Sequence, residues 1–323
     1  MWKPQHKKMS EQHPLVSVIL PTYNRAGFLV KAINSVVTQS FQDWELIVWD
    51  DGSTDETRRI VETINDSRIS YHFSENFGVA YARNRAIEKS STKYIAFLDS
   101  DDQWLANKLS MQVAAMEENP DVDLLFTNFI NVNIQKETEE VEFEKYASEM
   151  SRLRVDERYN NIKVVKNLFL ECIVKENFIA TDTVLLKRVL LENIGGFNET
   201  LRNSEDFELW WRAGLSNAGI AYVDEVHLIR NKPPDSLSCS SSQATLHVLK
   251  ALDLCASQAT NTGRSYLVPM LNAKYRNAWQ YLIRVNGTSG NISAAFHAFL
   301  NSIKYGLRPG SVKLLIKALM DNR

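Results

Sequence analysis

Cysteine is scarce in this chain: Cys172, Cys239 and Cys255 are scattered among 323 residues with no CxxC pair. That spacing suggests neither a disulfide framework nor a structural zinc site, and it fits a reducing compartment. Glycine is thin as well. The 12 present form neither GxGxxG nor a Walker loop, which speaks against a dinucleotide oxidoreductase and a P-loop kinase. Long apolar runs are missing: no stretch approaches the ~18 residues of a membrane span. Residues 1–13 are polar and mildly basic and lack the apolar stretch of a secretory signal, so the expected location is the cytoplasm. Nor does one sign of charge dominate. With 37 Lys and Arg against 39 Asp and Glu, a formal charge of −2 gives no global basic field for a nucleic-acid backbone. Any anionic ligand must be met by a local site.

What is present is an ordinary globular composition, 44% apolar and 24% charged, in a chain long enough for a large α/β domain with a helical appendage. Residues 15–20, 44–49, 69–73 and 93–98 are short apolar or alternating runs of strand length, each ending in polar or turn-forming residues. Between them, apolar residues recur at helical spacing: Phe28, Leu29, Ala32, Ile33, Val36 and Val37, then Ile60, Val61 and Ile64, then Val79, Ala82, Ala86 and Ile87. This alternation predicts an α/β fold, a mostly parallel sheet with helices on both faces. Ser53-Thr54-Asp55-Glu56 has the spacing of a capping box and predicts that the second helix opens there.

Downstream, residues 122–130 and 220–229 predict further strands, the strongly acidic 136–144 a surface excursion, and a helix begins near Glu205. Lys232-Pro233-Pro234-Asp235 reads as a boundary. The expected organisation is a polar tail (1–13), an α/β domain (14–231) and a helical C-terminal region (232–323). The end of the chain sets Lys304, Arg308, Lys313, Lys317 and Arg323 among Val312, Leu314, Leu315, Ile316, Leu319 and Met320. Two roles fit it: peripheral contact with an anionic membrane, or docking on the domain by its apolar face.

In open α/β sheets the ligand lies beyond the carboxyl ends of the strands. The unusual residues of this chain fall there: Pro21-Thr22-Tyr23-Asn24, Asp50-Asp51-Gly52-Ser53, Glu75-Asn76-Phe77-Gly78 and Asp99-Ser100-Asp101-Asp102. Asp99, Asp101 and Asp102 crowd like charges that a hard divalent cation would neutralise; a solvated acidic turn is the alternative. Tyr23 on such a rim can stack on a nucleobase, and Asp51 can accept a base N–H. Arg83, soon after Gly78, offers a planar fork to phosphate, although a surface ion pair is the default for any single arginine.

In their order and spacing, three N-terminal segments resemble the family 2 glycosyltransferases with the GT-A (Rossmann-like) fold. They are Val16-Ser17-Val18-Ile19-Leu20-Pro21-Thr22-Tyr23-Asn24-Arg25, Asp50-Asp51-Gly52-Ser53-Thr54-Asp55, and Asn76-Phe77-Gly78 with Ala82-Arg83-Asn84. Phe97-Leu98-Asp99-Ser100-Asp101-Asp102 completes the likeness, which covers roughly residues 14–230. The resemblance implies a nucleotide-diphosphate sugar donor, a divalent cation (Mn2+ or Mg2+), a glycan or lipid-linked acceptor and inversion at the anomeric carbon. On that resemblance Pro21, Thr22 and Tyr23, with Asn24 beside them, match the loop that meets nucleobase and ribose, and Asp51 matches the carboxylate facing the base. Gly78 and Arg83 fall near the diphosphate.

Asp99-Ser100-Asp101 matches the family's Asp-x-Asp motif. Asp101 contacts ribose or metal, Asp102 is a second candidate ligand, and the choice between them stays open. Ser204-Glu205-Asp206-Phe207-Glu208-Leu209-Trp210-Trp211-Arg212 resembles the acceptor-side Glu-Asp segment, which makes Asp206 the base; without the upstream motifs both acids would simply favour a helix N-terminus. No Gln-x-x-Arg-Trp pattern or hydrophobic span of a processive synthase is found, so transfer of one or few sugars is expected, in a cell-surface polysaccharide such as O-antigen or capsule. The competing classes are a nucleotide-sugar-binding protein without catalysis and a sugar nucleotidylyltransferase. The latter calls for a Gly-rich, basic first loop, which Pro21-Thr22-Tyr23-Asn24-Arg25 is not.

Overall fold

The computed structural model of the chain describes residues 14–133, 138–141, 147–231, 241–306 and 308–321. The four apolar runs form β1 (Val16–Thr22), β2 (Trp44–Asp50), β3 (Ile69–Phe73) and β4 (Tyr94–Phe97), separated by α1 (Ala26–Val37), α2 (Thr57–Glu62) and α3 (Val79–Lys89). They pair in parallel in the order β3-β2-β1-β4. β1 is buried along its whole length, as expected for a strand covered on both faces, and so it reads as a nearly continuous apolar run. Because the strands are parallel, their carboxyl ends and four polar loops share one edge.

Beyond β4 the sheet becomes mixed. β5 (Gln103–Trp104), α4 (Lys108–Glu118), β6 (Leu124–Asn133), β7 (Thr138–Val141) and α5 (Ala147–Met150) precede a pair of strands, β8 (Arg154–Arg158) and β9 (Ile162–Asn167). Then come α6 (Phe169–Ile173), β10 (Leu185–Lys187), α7 (Arg188–Ile194), α8 (Glu205–Leu215) and β11 (Ile220–Asn231). The short β10 enters antiparallel between β4 and β6, and β11 lies parallel to β6. β6 and β11 therefore run in the same sense as β4, and the end of β11 returns to the edge where β4 ends.

Two local expectations fail for identifiable reasons. Residues 138–141, inside the acidic stretch expected to be an excursion, pair antiparallel with β6 from Asn133↔Thr138 to Ile130↔Val141. Ladder bonds are made by the backbone, which acidic side chains do not remove; the rest of 136–144 lies outside the described residues. The capping box does not form either. The Ser53 hydroxyl accepts the Asn24 N–H at 2.8 Å, Glu56 pairs with Arg59, and Asp55 bonds the Thr57 N–H at 3.0 Å, so α2 starts one turn later. A bond between two loops took the serine that the local pattern assigned to the helix.

From Ser242 the chain is helical: α9 (Ser242–Asn261), α10 (Val268–Thr288), α11 (Ile292–Ile303) and α12 (Pro309–Asp321). The Lys232-Pro233-Pro234-Asp235 boundary lies outside the described residues. α9 packs on α8, where Trp211 Nε1 donates to the Cys255 carbonyl at 3.1 Å and Gln258 Nε2 to Glu208 Oε1 at 2.5 Å. One apolar core runs from Ile19 and Phe97 through Phe207, Trp210 and Trp211 to Leu252, Leu271 and Leu282. At α12 the docking role is seen, by one face of the helix. Leu315 and Ala318 are buried, with Ala318 against Gly287 of α10, whereas Ile316, Leu319 and Met320 are exposed. Among the described residues no helix is long and apolar enough to cross a membrane.

Candidate active site

At the shared strand edge opens a cavity of roughly 730 Å³. Its wall contains every residue given a role in binding or catalysis from the sequence: Pro21, Thr22, Tyr23, Asn24, Asp51, Gly78, Arg83, Asp99, Ser100, Asp101, Asp102 and Asp206. Parallel pairing brings the first eleven together from the strand ends, the loops after them and the start of α3, and α8 delivers Asp206 from the other side. Asp50, next to Asp51, has a different job: it accepts the Tyr71 hydroxyl and the Ser53 N–H, each at 2.7 Å, and shapes the turn.

The side of the cavity formed by β1 to β3 is built by cross-bracing. Asn24 adopts φ 51°, a left-handed conformation that asparagine tolerates, and its Oδ1 accepts the Thr54 N–H at 2.8 Å. Asp51 accepts the N–H groups of Phe77 and Gly78, both at 2.8 Å. Burial nevertheless raises its pKa above the ordinary value, those two amides opposing the shift. Gly78, at φ 95°, opens α3 beneath the Arg202 side chain; a Cβ there would stand 2.1 Å from Arg202 Nη1. Tyr23 is half exposed on the rim, and Thr22 Oγ1 is buried with no partner among the described residues. Buried polar atoms are rarely left unpaired, so Thr22 offers a ligand a hydrogen bond.

Arg83 is fully embedded. Its Nη2 bonds Asp99 at 2.7 Å and its Nη1 bonds Glu205 at 2.8 Å. Burial works against its charge, but Asp99 and Glu205 outweigh it and raise the pKa. The fork expected near a diphosphate thus ties the β4 loop to the first turn of α8. Asp206 follows Glu205, turned into the cavity by Ser204, whose φ of 63° is strained for a non-glycine residue. Its Oδ1 accepts the Phe207 N–H at 2.6 Å and its Oδ2 the Asn177 amide at 3.2 Å. Burial raises the Asp206 pKa, with Phe207, Arg83 and Arg230 opposing.

Sequence reasoning missed several wall residues: Asn177, Asp182, Arg202, Arg230 and Asn231. Arg230 and Asn231 end β11, and the rule applied to the first four strands would have found them had it been carried to the last one. Asp182, in the turn before β10, carried no comparable signal. Arg230 is held charged: burial opposes its charge, and Asp102, Asp182 and Asp99 override it.

Seven carboxylates line the cavity, from Asp51, Asp99, Asp101, Asp102, Asp182, Glu205 and Asp206, against the guanidiniums of Arg25, Arg83, Arg202 and Arg230. Burial, then Asp99, raises the Asp101 pKa, and burial, then Asp182, raises that of Asp102 well above the ordinary range. Such a wall repels a diphosphate unless a cation intervenes. Among the described residues no three His, Cys, Asp or Glu side chains form a ligand cluster. Magnesium and manganese do not require one, since one or two protein carboxylates with water and substrate phosphates complete their shell. The adjacent hard oxygens of Asp101 and Asp102 fit that need.

A mixed but mostly parallel sheet, helices on its faces and an acid-lined cavity at the strand ends define a GT-A glycosyltransferase. The profile of Glycosyl transferase family 2 matches residues 17–171. The chain is 35% identical over 197 residues, 61% of its length, to the Escherichia coli UDP-Glc:alpha-D-GlcNAc-diphosphoundecaprenol beta-1,3-glucosyltransferase WfgD, of which 68% is covered. Among solved structures, S. aureus TarS 1-349 in complex with UDP-GlcNAc superposes with a TM-score of 0.66 at 20% identity, covering 95% of this chain and 88% of that one. The mannosyltransferase PcManGT from Pyrobaculum calidifontis, in complex with GDP-Man and Mn2+, gives 0.55 at 19% identity over 97% and 88% of the two chains. The chain belongs to glycosyl transferase family 2, and it is a glycosyltransferase.

Proposed function

We propose that this enzyme transfers a sugar, with inversion, from a nucleoside diphosphate sugar to a hydroxyl of a lipid-linked glycan during cell-surface polysaccharide assembly. The observation that carries the reading is the opposition, within one cavity, of an acidic β4 loop and the Asp206 carboxylate on α8. Asp206 takes the proton of the acceptor hydroxyl, and that oxygen attacks the anomeric carbon. The bond from that carbon to the diphosphate oxygen breaks on the opposite face, and the electron pair leaves with the diphosphate. One base acting in line gives inversion. Burial makes Asp206 a stronger proton acceptor than an exposed aspartate, and Asn177 holds its orientation.

On the donor side, Tyr23, Thr22 and Asp51 meet the base and ribose, with Pro21 and Asn24 shaping their loop. Asp101 and Asp102 would hold the divalent cation, which supplies charge neutralisation at the departing diphosphate. The acceptor class rests on the diphosphoundecaprenol acceptor in the name of WfgD. A membrane-bound acceptor also gives the exposed Ile316, Leu319 and Met320 of α12, with Lys313 and Lys317 on the same helix, a surface to meet.

The deciding experiment pairs Asp206→Asn with calorimetry against UDP-, GDP-, dTDP- and CMP-linked sugars in manganese. Transfer should fall by about 10²–10⁴-fold with donor affinity unchanged. Equal turnover by variant and wild type would remove Asp206 as the base, and a chain that binds a donor yet transfers nothing would be a binding protein.

A further inference from the structure

Asp182 is the buried acid that the mechanism above leaves without a task. It sits in the 3₁₀ turn Thr181–Thr183, is 1% exposed, and lines the floor of the cavity. Its Oδ1 accepts the Asp99 N–H at 2.7 Å, and its carboxyl is hydrogen-bonded to that of Asp102. One side chain therefore grips both ends of the Asp99-Ser100-Asp101-Asp102 loop.

The turn that carries Asp182 is itself pinned from behind. Trp104 Nε1 donates to the Asp182 carbonyl at 2.9 Å, and Gln112 Nε2 donates to the Thr183 carbonyl at 2.8 Å. Buried Lys108 fixes Gln112, with Nζ 2.7 Å from its Oε1 and 4.1 Å from the centre of the Trp104 ring. From the opposite side, Asn231 donates its N–H to Asp102 Oδ1 at 2.8 Å and its side-chain amide to the Asp101 carbonyl at 2.6 Å. The loop is clamped between Asp182 and Asn231, so its geometry is set by residues far away in sequence.

We propose that Asp182 is a positioning residue that holds the Asp99 amide and the Asp102 carboxyl so that Asp101 and Asp102 present oxygens to the divalent cation. It does so as a hydrogen-bonding fork rather than as a ligand. The inference rests on the cation reading given above. Partners of this kind, one shell away from a metal, affect its affinity almost as strongly as the ligands do.

The test is manganese titration of the full chain without donor, by calorimetry and by the electron paramagnetic resonance of free Mn2+, for wild type, Asp182→Asn and Asp182→Ala. Asparagine keeps an oxygen for the Asp99 N–H and gains an N–H for Asp102, so Asp182→Asn should bind Mn2+ close to wild type. Asp182→Ala should bind it about 10- to 100-fold more weakly. Wild-type affinity in a folded Asp182→Ala would overturn the proposal. So would a loss in Asp182→Asn as large as in Asp182→Ala, because the carboxylate would then act by charge. If Asp182→Ala does not fold, Asp182→Asn alone decides. A wild-type chain that takes no manganese, either alone or with a nucleoside diphosphate added, would overturn the cation reading and this inference with it. Failure of the inference alone leaves the wild-type titration intact.

Discussion

The two sides of the cavity are made by different rules. On one side, β1 to β4 run in parallel, and each places its contribution within a few residues of its own carboxyl end. On the opposite side, Asp182 comes from a turn, Asp206 from the first turn of α8, and Arg230 from the far end of β11. The first side is thus a repeated local device, whereas the second is an assembly of single residues held by long-range bonds. A wall of the first kind can stay recognisable in sequence while one of the second kind is rebuilt residue by residue.

Arg83 joins the two sides, so its removal is the sharpest way to break the comparison. Arg83→Met leaves Glu205 buried without its partner and frees the first turn of α8 from the β4 loop. Denaturant unfolding should register a loss of about 3–5 kcal/mol, with transfer lost alongside. A variant as stable as wild type would mean that packing alone holds the two sides together.

Lys108 tests the second side from behind through pH. Burial pushes its pKa down from 10.5 to about 7, with Asp182 partly offsetting, and His227 and Asp182 face the same spot. The unfolded chain binds more protons than the folded one between those values, so folding is disfavoured at neutral pH and stability rises as pH climbs from about 7 to 10.5. Its contribution is at most about 1.4 kcal/mol per pH unit. Lys108→Met should flatten that rise; equal slopes for both proteins would show that the lysine keeps its proton when buried.

The smallest effect concerns the exposed face of α12. Lys313→Glu with Lys317→Glu should weaken sedimentation with phosphatidylserine vesicles by about 1 kcal/mol per lysine at low salt. Binding to neutral vesicles should not change. A wild-type chain that ignores both kinds of vesicle would assign α12 to packing alone.

The same contrast explains what could be read from the amino acids. Four strands, three helices and the loop residues from Pro21 to Asp102 were legible because apolar runs and the polar residues ending them are neighbours in sequence. Asp182 was not, because its meaning comes from Asp99, 83 positions away, and nothing in Thr181-Asp182-Thr183 announces it. Asn231 reaches Asp102 across 129 positions. The helix start at Thr57 was misplaced for the same reason, since a neighbouring loop claimed Ser53. β7 escaped because its composition is acidic while its pairing belongs to the backbone.

Trp211 and Glu208 lie on α8 within two turns of Asp206, and both are bonded to α9. The helical end of the chain is therefore no detachable module. A chimera that kept this α/β portion and borrowed the tail of a relative would place foreign side chains beneath the helix that bears Asp206. Acceptor preference and foldedness would then be exchanged together, and shuffling of such tails would have to carry α8 along.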